Sequence, residues 1–92
     1  MDERILEIRT KIDQIDRDII DLLITRQALS KEIGALKKEL QIPVEDTSRE
    51  QEIIDRLTHS AAGNLTEEQL IRIYKAVFTS SKQVQNKRQS NS

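Results

Sequence analysis

Arg26 interrupts a seam that is otherwise aliphatic. Ile5, Ile8, Ile12, Ile15, Ile19, Leu22, Leu29, Ile33, Leu36 and Leu40 recur three and four residues apart, and Arg26 fills the one gap. A cation there reads either as a register-setting polar group, as in coiled coils, or as a group aimed at a ligand. Lys37 follows eleven residues later, three turns along and only ~20° round a helix. Two long cationic side chains on one face can converge on one anion. Arg9 flanks the same seam near its start. Taken singly, Arg9 and Lys37 also read as stems lying over apolar neighbours with their charges in water.

Two further segments repeat the pattern. In the run PVEDTSRE, residues 43–50, Glu50 precedes Ile54 by four and Leu57 by seven, so it points with them. It also fits a capping box, Thr47-x-x-Glu50, turned back to the cap amide. Arg49 shares a phase with Ile53 and lies half on the inner face; the alternative is a surface ion pair. Ser81 and Gln85 follow Phe78 by three and seven, so an apolar stripe ends in a hydroxyl and an amide. They either line a polar cavity or run out into a polar tail. Taken together, three helical segments each turn polar on the inner face, and most of the intruders are cations. Buried charges without partners are costly, so a small dianion is the natural counterpart. His59 reads as a solvated or C-terminal capping residue, and Tyr74 and Phe78 as core.

Composition narrows the chemistry. With no cysteine there is no disulfide, thiol nucleophile or thiolate metal site, and one histidine cannot form a multi-histidine centre within one chain. Fifteen Lys and Arg balance sixteen Asp and Glu, so no strong field recruits nucleic acid or a membrane. Lys82, Lys87 and Arg88 form only a weak basic cluster. No apolar run approaches a membrane span, and the N-terminus lacks a signal-peptide pattern. The expectation is one soluble, cytoplasmic, all-α domain over residues 1–92.

The elements that must position these residues follow from the periods. The seam predicts one helix from about residue 3 to about 40, with Gly34 inside it marking close backbone approach. Such a helix spans ~57 Å, whereas a compact chain of this length has a radius of gyration of ~12 Å. The remaining residues cannot cover it, which implies a partner chain, most simply in a twofold homodimer. Pro43 closes the first helix. A second carries Ile53, Ile54, Leu57 and Ala61 on one face and ends near Gly63-Asn64. A third starts at Thr66, where Thr66-x-x-Gln69 is a capping box. Its face is Leu70, Ile73, Tyr74, Val77, Phe78 and Val84. Residues 86–92 read as a fraying polar tail.

The ordered set Arg9, Ile12-Asp13-x-Ile15-Asp16, Leu22-Leu23, Arg26, Ile33-Gly34-x-x-Lys37, Pro43-Val44-x-Asp46-x-x-Arg49-Glu50, Ser81 and Gln85 resembles the all-helical (AroQ-class) chorismate mutases over about residues 4–86. The resemblance implies an intertwined homodimer of one long and two shorter helices per chain. It implies an isomerase of phenylalanine and tyrosine biosynthesis that converts chorismate to prephenate with no cofactor or metal. Arg9 would come from the partner chain; Arg26, Lys37, Asp46, Arg49, Glu50, Ser81 and Gln85 would share the other. Arg9 and Arg26 would hold the two carboxylates, and Lys37 would contact a carboxylate and the ether oxygen. Gln85 would donate to that same oxygen. Glu50 and the Asp46 backbone would hold the ring hydroxyl, and Arg49 and Ser81 would support the carboxylate end. The alternatives are an isochorismate pyruvate-lyase of the same fold and a non-catalytic helical dimerisation module. The module explains the seam but not the polar inner faces.

Overall fold

The computed structural model describes residues 2–90, with side chains through residue 86. Three helices follow in order: α1 (Glu3–Leu40), α2 (Thr47–Ala61) and α3 (Glu67–Ser90). The long α1 matches its predicted span. Its end is tied by Ile42 N donating to Lys37 O at 2.8 Å, with Gln41 in the left-handed region at φ 59°. Pro43 follows directly, so the chain leaves the helix before a ring that could not continue it.

The start of α2 resolves an ambiguity of the sequence. Asp46 is the N-cap, and its Oδ1 accepts from Arg49 N at 2.9 Å. The Thr47–Glu50 capping box does not form, which leaves the Glu50 carboxylate for other work. The helix ends slightly earlier than the Gly63-Asn64 signal suggests. Ala62 already sits at φ 48°, and Gly63 follows at φ 85°. At the start of α3 the predicted box is complete: Thr66 N donates to Gln69 Oε1 at 2.9 Å, and Gln69 N to Thr66 Oγ1 at 3.1 Å. α3 then continues to Ser90, past the Asn86 boundary expected for a tail. Gln, Lys and Arg are good helix formers despite their polarity. Asn91 and Ser92 lie outside the described residues.

α1 and α2 both pack on α3 and not on each other. α3 runs along the C-terminal half of α1 in the same direction, with Arg26 opposite Ser81 and Gly34 opposite Gln85. Tyr74 and Phe78 meet edge to face at 5.6 Å and are half-buried. Gly34 explains how closely the two helices approach. A Cβ there would lie 2.8 Å from Gln85 Cα, and backbone cannot swing aside as a side-chain tip can. Gly34→Ala gains ~1 kcal/mol of helix propensity but overpacks the crossing, at a cost of about 1–3 kcal/mol. The expected result is a lower thermal midpoint by circular dichroism.

The core within one chain is thin. Ile54 and Leu70 are the buried hydrophobic residues among those described, while the seam from Ile5 to Leu40 is exposed, with Ile15 at 55% and Leu22 at 70%. The radius of gyration is 16.8 Å and the long dimension 55 Å. The chain exposes 7560 Å², against ~5,500 Å² for a compact protein of 10.6 kDa. The surplus is about 2,000 Å² per chain, or about 4,000 Å² over two chains, which is of the order buried in obligate homodimer interfaces. No helix among the described residues is long and apolar enough to cross a membrane.

Candidate active site

A cavity of about 450 Å³ lies where α1, α2 and α3 and the Gln41–Asp46 connection meet. Arg26, Lys37, Asp46, Arg49, Glu50, Ser81 and Gln85 all line it, with Leu29, Ile33, Ile53 and Phe78 as apolar walls. Apolar walls lower the local dielectric and strengthen each charge contact inside. Residues more than fifty apart in sequence thus converge, as the inner-face periods predict. Arg9 does not join them. It lies seventeen residues before Arg26 on one continuous helix, ~25 Å away along the axis.

Each polar side chain is held in a definite way. Arg26 Nη1 donates to Ser81 Oγ, which also accepts from Ser30 Oγ at 3.3 Å. Ser81 therefore keeps its own proton to give. Its neighbours are an arginine and a serine rather than a base, so it is not built as a nucleophile. Lys37 Nζ donates to Val44 O at 3.1 Å, which ties the cation on α1 to the connection before α2. Arg49 pairs with Glu52 on the outer side of α2 and remains more than half exposed, so the surface-pair reading holds for this side chain although it lines the cavity. Gln85 is 8% exposed, and its Oε1 is buried without a hydrogen-bond partner. An unpaired buried amide oxygen costs about 1–3 kcal/mol.

Two lining residues escape the sequence reading. Ser30 is buried at 6%; its signal was its place midway between Arg26 and Gly34, four residues from each. Lys82, grouped above with Lys87 and Arg88, instead lines the cavity. Its Nζ lies 3.2 Å from Glu45 Oε2 and 3.4 Å from Glu50 Oε2. The hydrogen bond to Glu45 first, with Glu50 adding, raises the Lys82 ammonium above its usual range, against partial desolvation. Lys82 follows Phe78 by four and precedes Gln85 by three, which places it on the inner face. The side chains of Lys87 and Arg88 lie outside the described residues.

Of the four lining cations, Arg49 and Lys82 are paired with carboxylates, whereas Arg26 and Lys37 are bonded to neutral oxygens, which leaves two positive charges that suit a dianion. Residues 8–86 match the sequence model of chorismate mutase type II. The chain belongs to that family. It is 35% identical over 86 residues to a chorismate mutase of Methanocaldococcus jannaschii, covering 92% of this chain and 87% of that one. It is also 35% identical over 81 residues to a bifunctional chorismate mutase/prephenate dehydratase of Aquifex aeolicus; there it covers 84% of this chain but 22% of the longer protein. A solved chorismate mutase (form II) of Thermus thermophilus superposes with a TM-score of 0.85 at 34% identity, covering 89% of this chain and 93% of that one. The mutase family thus accounts for nearly all of the chain, including the three helices that wall the cavity.

Proposed function

We propose that this mutase converts chorismate to prephenate in a cavity completed by a second copy of the chain, in the cytoplasm. The convergence of Arg26, Lys37, Glu50, Ser81 and Gln85 on one site carries this reading. The reaction is unimolecular: the ether C–O bond breaks as a C–C bond forms, and nothing is added or lost. The protein must hold the flexible enolpyruvyl arm over the ring and meet the negative charge that develops on the ether oxygen.

Arg26 binds one carboxylate through its guanidinium fork, and Ser81 both braces Arg26 and donates its free proton to the same end. Arg9 of a second chain binds the other carboxylate. It lies ~25 Å from its own chain's Arg26, on the exposed seam that a partner helix would cover. Lys37 contacts a carboxylate and the ether oxygen. Gln85 turns its NH₂ end to that oxygen, since no donor in the protein fixes its Oε1. Glu50 accepts the ring hydroxyl, with the Asp46 backbone beside it, and Arg49 supports the carboxylate end.

Purified protein is expected to sediment as a dimer and to deplete the ultraviolet absorbance of chorismate, with prephenate as product. A folded dimer that leaves chorismate unchanged sinks the reading. Pyruvate released from isochorismate, with chorismate untouched, assigns the lyase instead.

A further inference from the structure

The Gln41–Asp46 connection joins two helices, α1 and α2, that do not pack on each other, and its Val44 and Asp46 line the cavity. Two lysines reach it from different helices. Lys37, from α1, donates to Val44 O at 3.1 Å. Lys82, from α3, donates to both oxygens of the next residue, Glu45, at 3.3 and 3.2 Å, and faces Glu50 Oε2 at 3.4 Å. Lys82 and Glu50 are partly buried, with side chains 30% and 27% exposed, while Glu45 is largely exposed.

Resting on the active-site reading above, we propose that Lys82 is a positioning residue for the rearrangement: it fixes the Glu50 carboxylate and pins the connection that braces Lys37. The geometry argues against Lys82 as one more substrate-binding cation. Its charge is already matched by two carboxylates, so a third anion would have to displace one. What the contact does is orient. Glu50 spends Oε2 on Lys82, which leaves Oε1 to accept a hydroxyl. Without Lys82, Glu50 would face the substrate's carboxylates with no cation holding it, free to turn toward Arg49 one residue earlier or out to water. The second effect passes through the backbone. Glu45 and Val44 are neighbours, so clamping the Glu45 carboxylate to α3 restrains the carbonyl that holds Lys37 Nζ.

Lys82 stays 30% exposed at its side chain and Glu45 59%, and ion pairs open to solvent contribute little to stability, so Lys82 variants should change kinetics far more than the thermal midpoint. Lys82→Met preserves the stem and removes the charge. Its kcat/KM is expected to fall about tenfold, as for loss of one charge-assisted hydrogen bond, with KM raised and kcat lowered together. Lys82→Arg, which keeps charge and reach, should recover to within about threefold of wild type by the same scale. Because Lys82 acts through Glu50, the Lys82→Met loss should shrink on a Glu50→Gln background. Full activity in Lys82→Met, no recovery in Lys82→Arg, or an undiminished loss on Glu50→Gln each overturns the proposal. A dead Lys37→Ala beside an unimpaired Lys82→Met removes the Lys82 role alone. A fully active Lys37→Ala removes the site assignment itself.

Discussion

Lys37→Ala is expected to lose several powers of ten in turnover with the dimer intact. The size follows from two duties on one ammonium. One preorganised donor to a developing oxyanion is worth about 10²–10³ in kcat. In the proposed role Lys37 also contacts a carboxylate, so the same truncation would loosen the near-attack geometry. The fold should not suffer, because the Nζ contact is to a loop carbonyl, Val44 O, rather than to a core group. The position is half-buried at the end of α1, where alanine is a better helix former than lysine. Circular dichroism and sedimentation should match wild type while chorismate consumption falls to near the uncatalysed rate. A loss below tenfold would mean that Lys37 serves the loop and not the reaction.

Much of this arrangement is legible in the sequence because each helix repeats its period over many residues. Arg26 and Lys37 stand out against an aliphatic seam, and Ser81 and Gln85 against the stripe of α3. Gly34 was readable as a close approach, though not as an approach to Gln85. Side-chain choices within one turn were less legible. Glu50 satisfied both a capping box and an inward phase; what decides is that Asp46 takes the cap, accepting from Arg49 N at 2.9 Å. The sequence could not rank Asp46 above Thr47, since both cap well. Arg49 likewise fitted two roles, and Glu52, three residues on, draws it outward. Lys82 does not stand out in the sequence, because a lysine near a basic terminus resembles a solvated face. Its partners Glu45 and Glu50 lie 37 and 32 residues away in sequence, and only the folded chain joins them. The extension of α3 to Ser90 reflects propensity winning over polarity.

In its proposed place at the ether oxygen, Gln85 sets the expected pH behaviour. A neutral amide donates N–H at any ordinary pH, so turnover should be nearly flat from about pH 5 to 9. Replacing it by glutamate keeps the size and changes the chemistry. An ionised carboxylate only accepts hydrogen bonds, and it would face the ether oxygen as that atom gains negative charge. Only the protonated acid can donate. A glutamate in water titrates near ~4.3. Burial beside Gly34 would push the new group upward, while the cations of the cavity would pull it down. Gln85→Glu should therefore be nearly inactive at pH 8, with activity rising as the pH falls through the titration of the new carboxyl group. The sign is specific: loss of bulk or packing would lower activity equally at all pH values, whereas loss of a donor is repaired by acid. The check is a pH profile of kcat for both proteins, with circular dichroism at each pH. A wild-type profile that drops steeply between pH 6 and 8, or a Gln85→Glu profile parallel to it, would remove Gln85 from the ether oxygen.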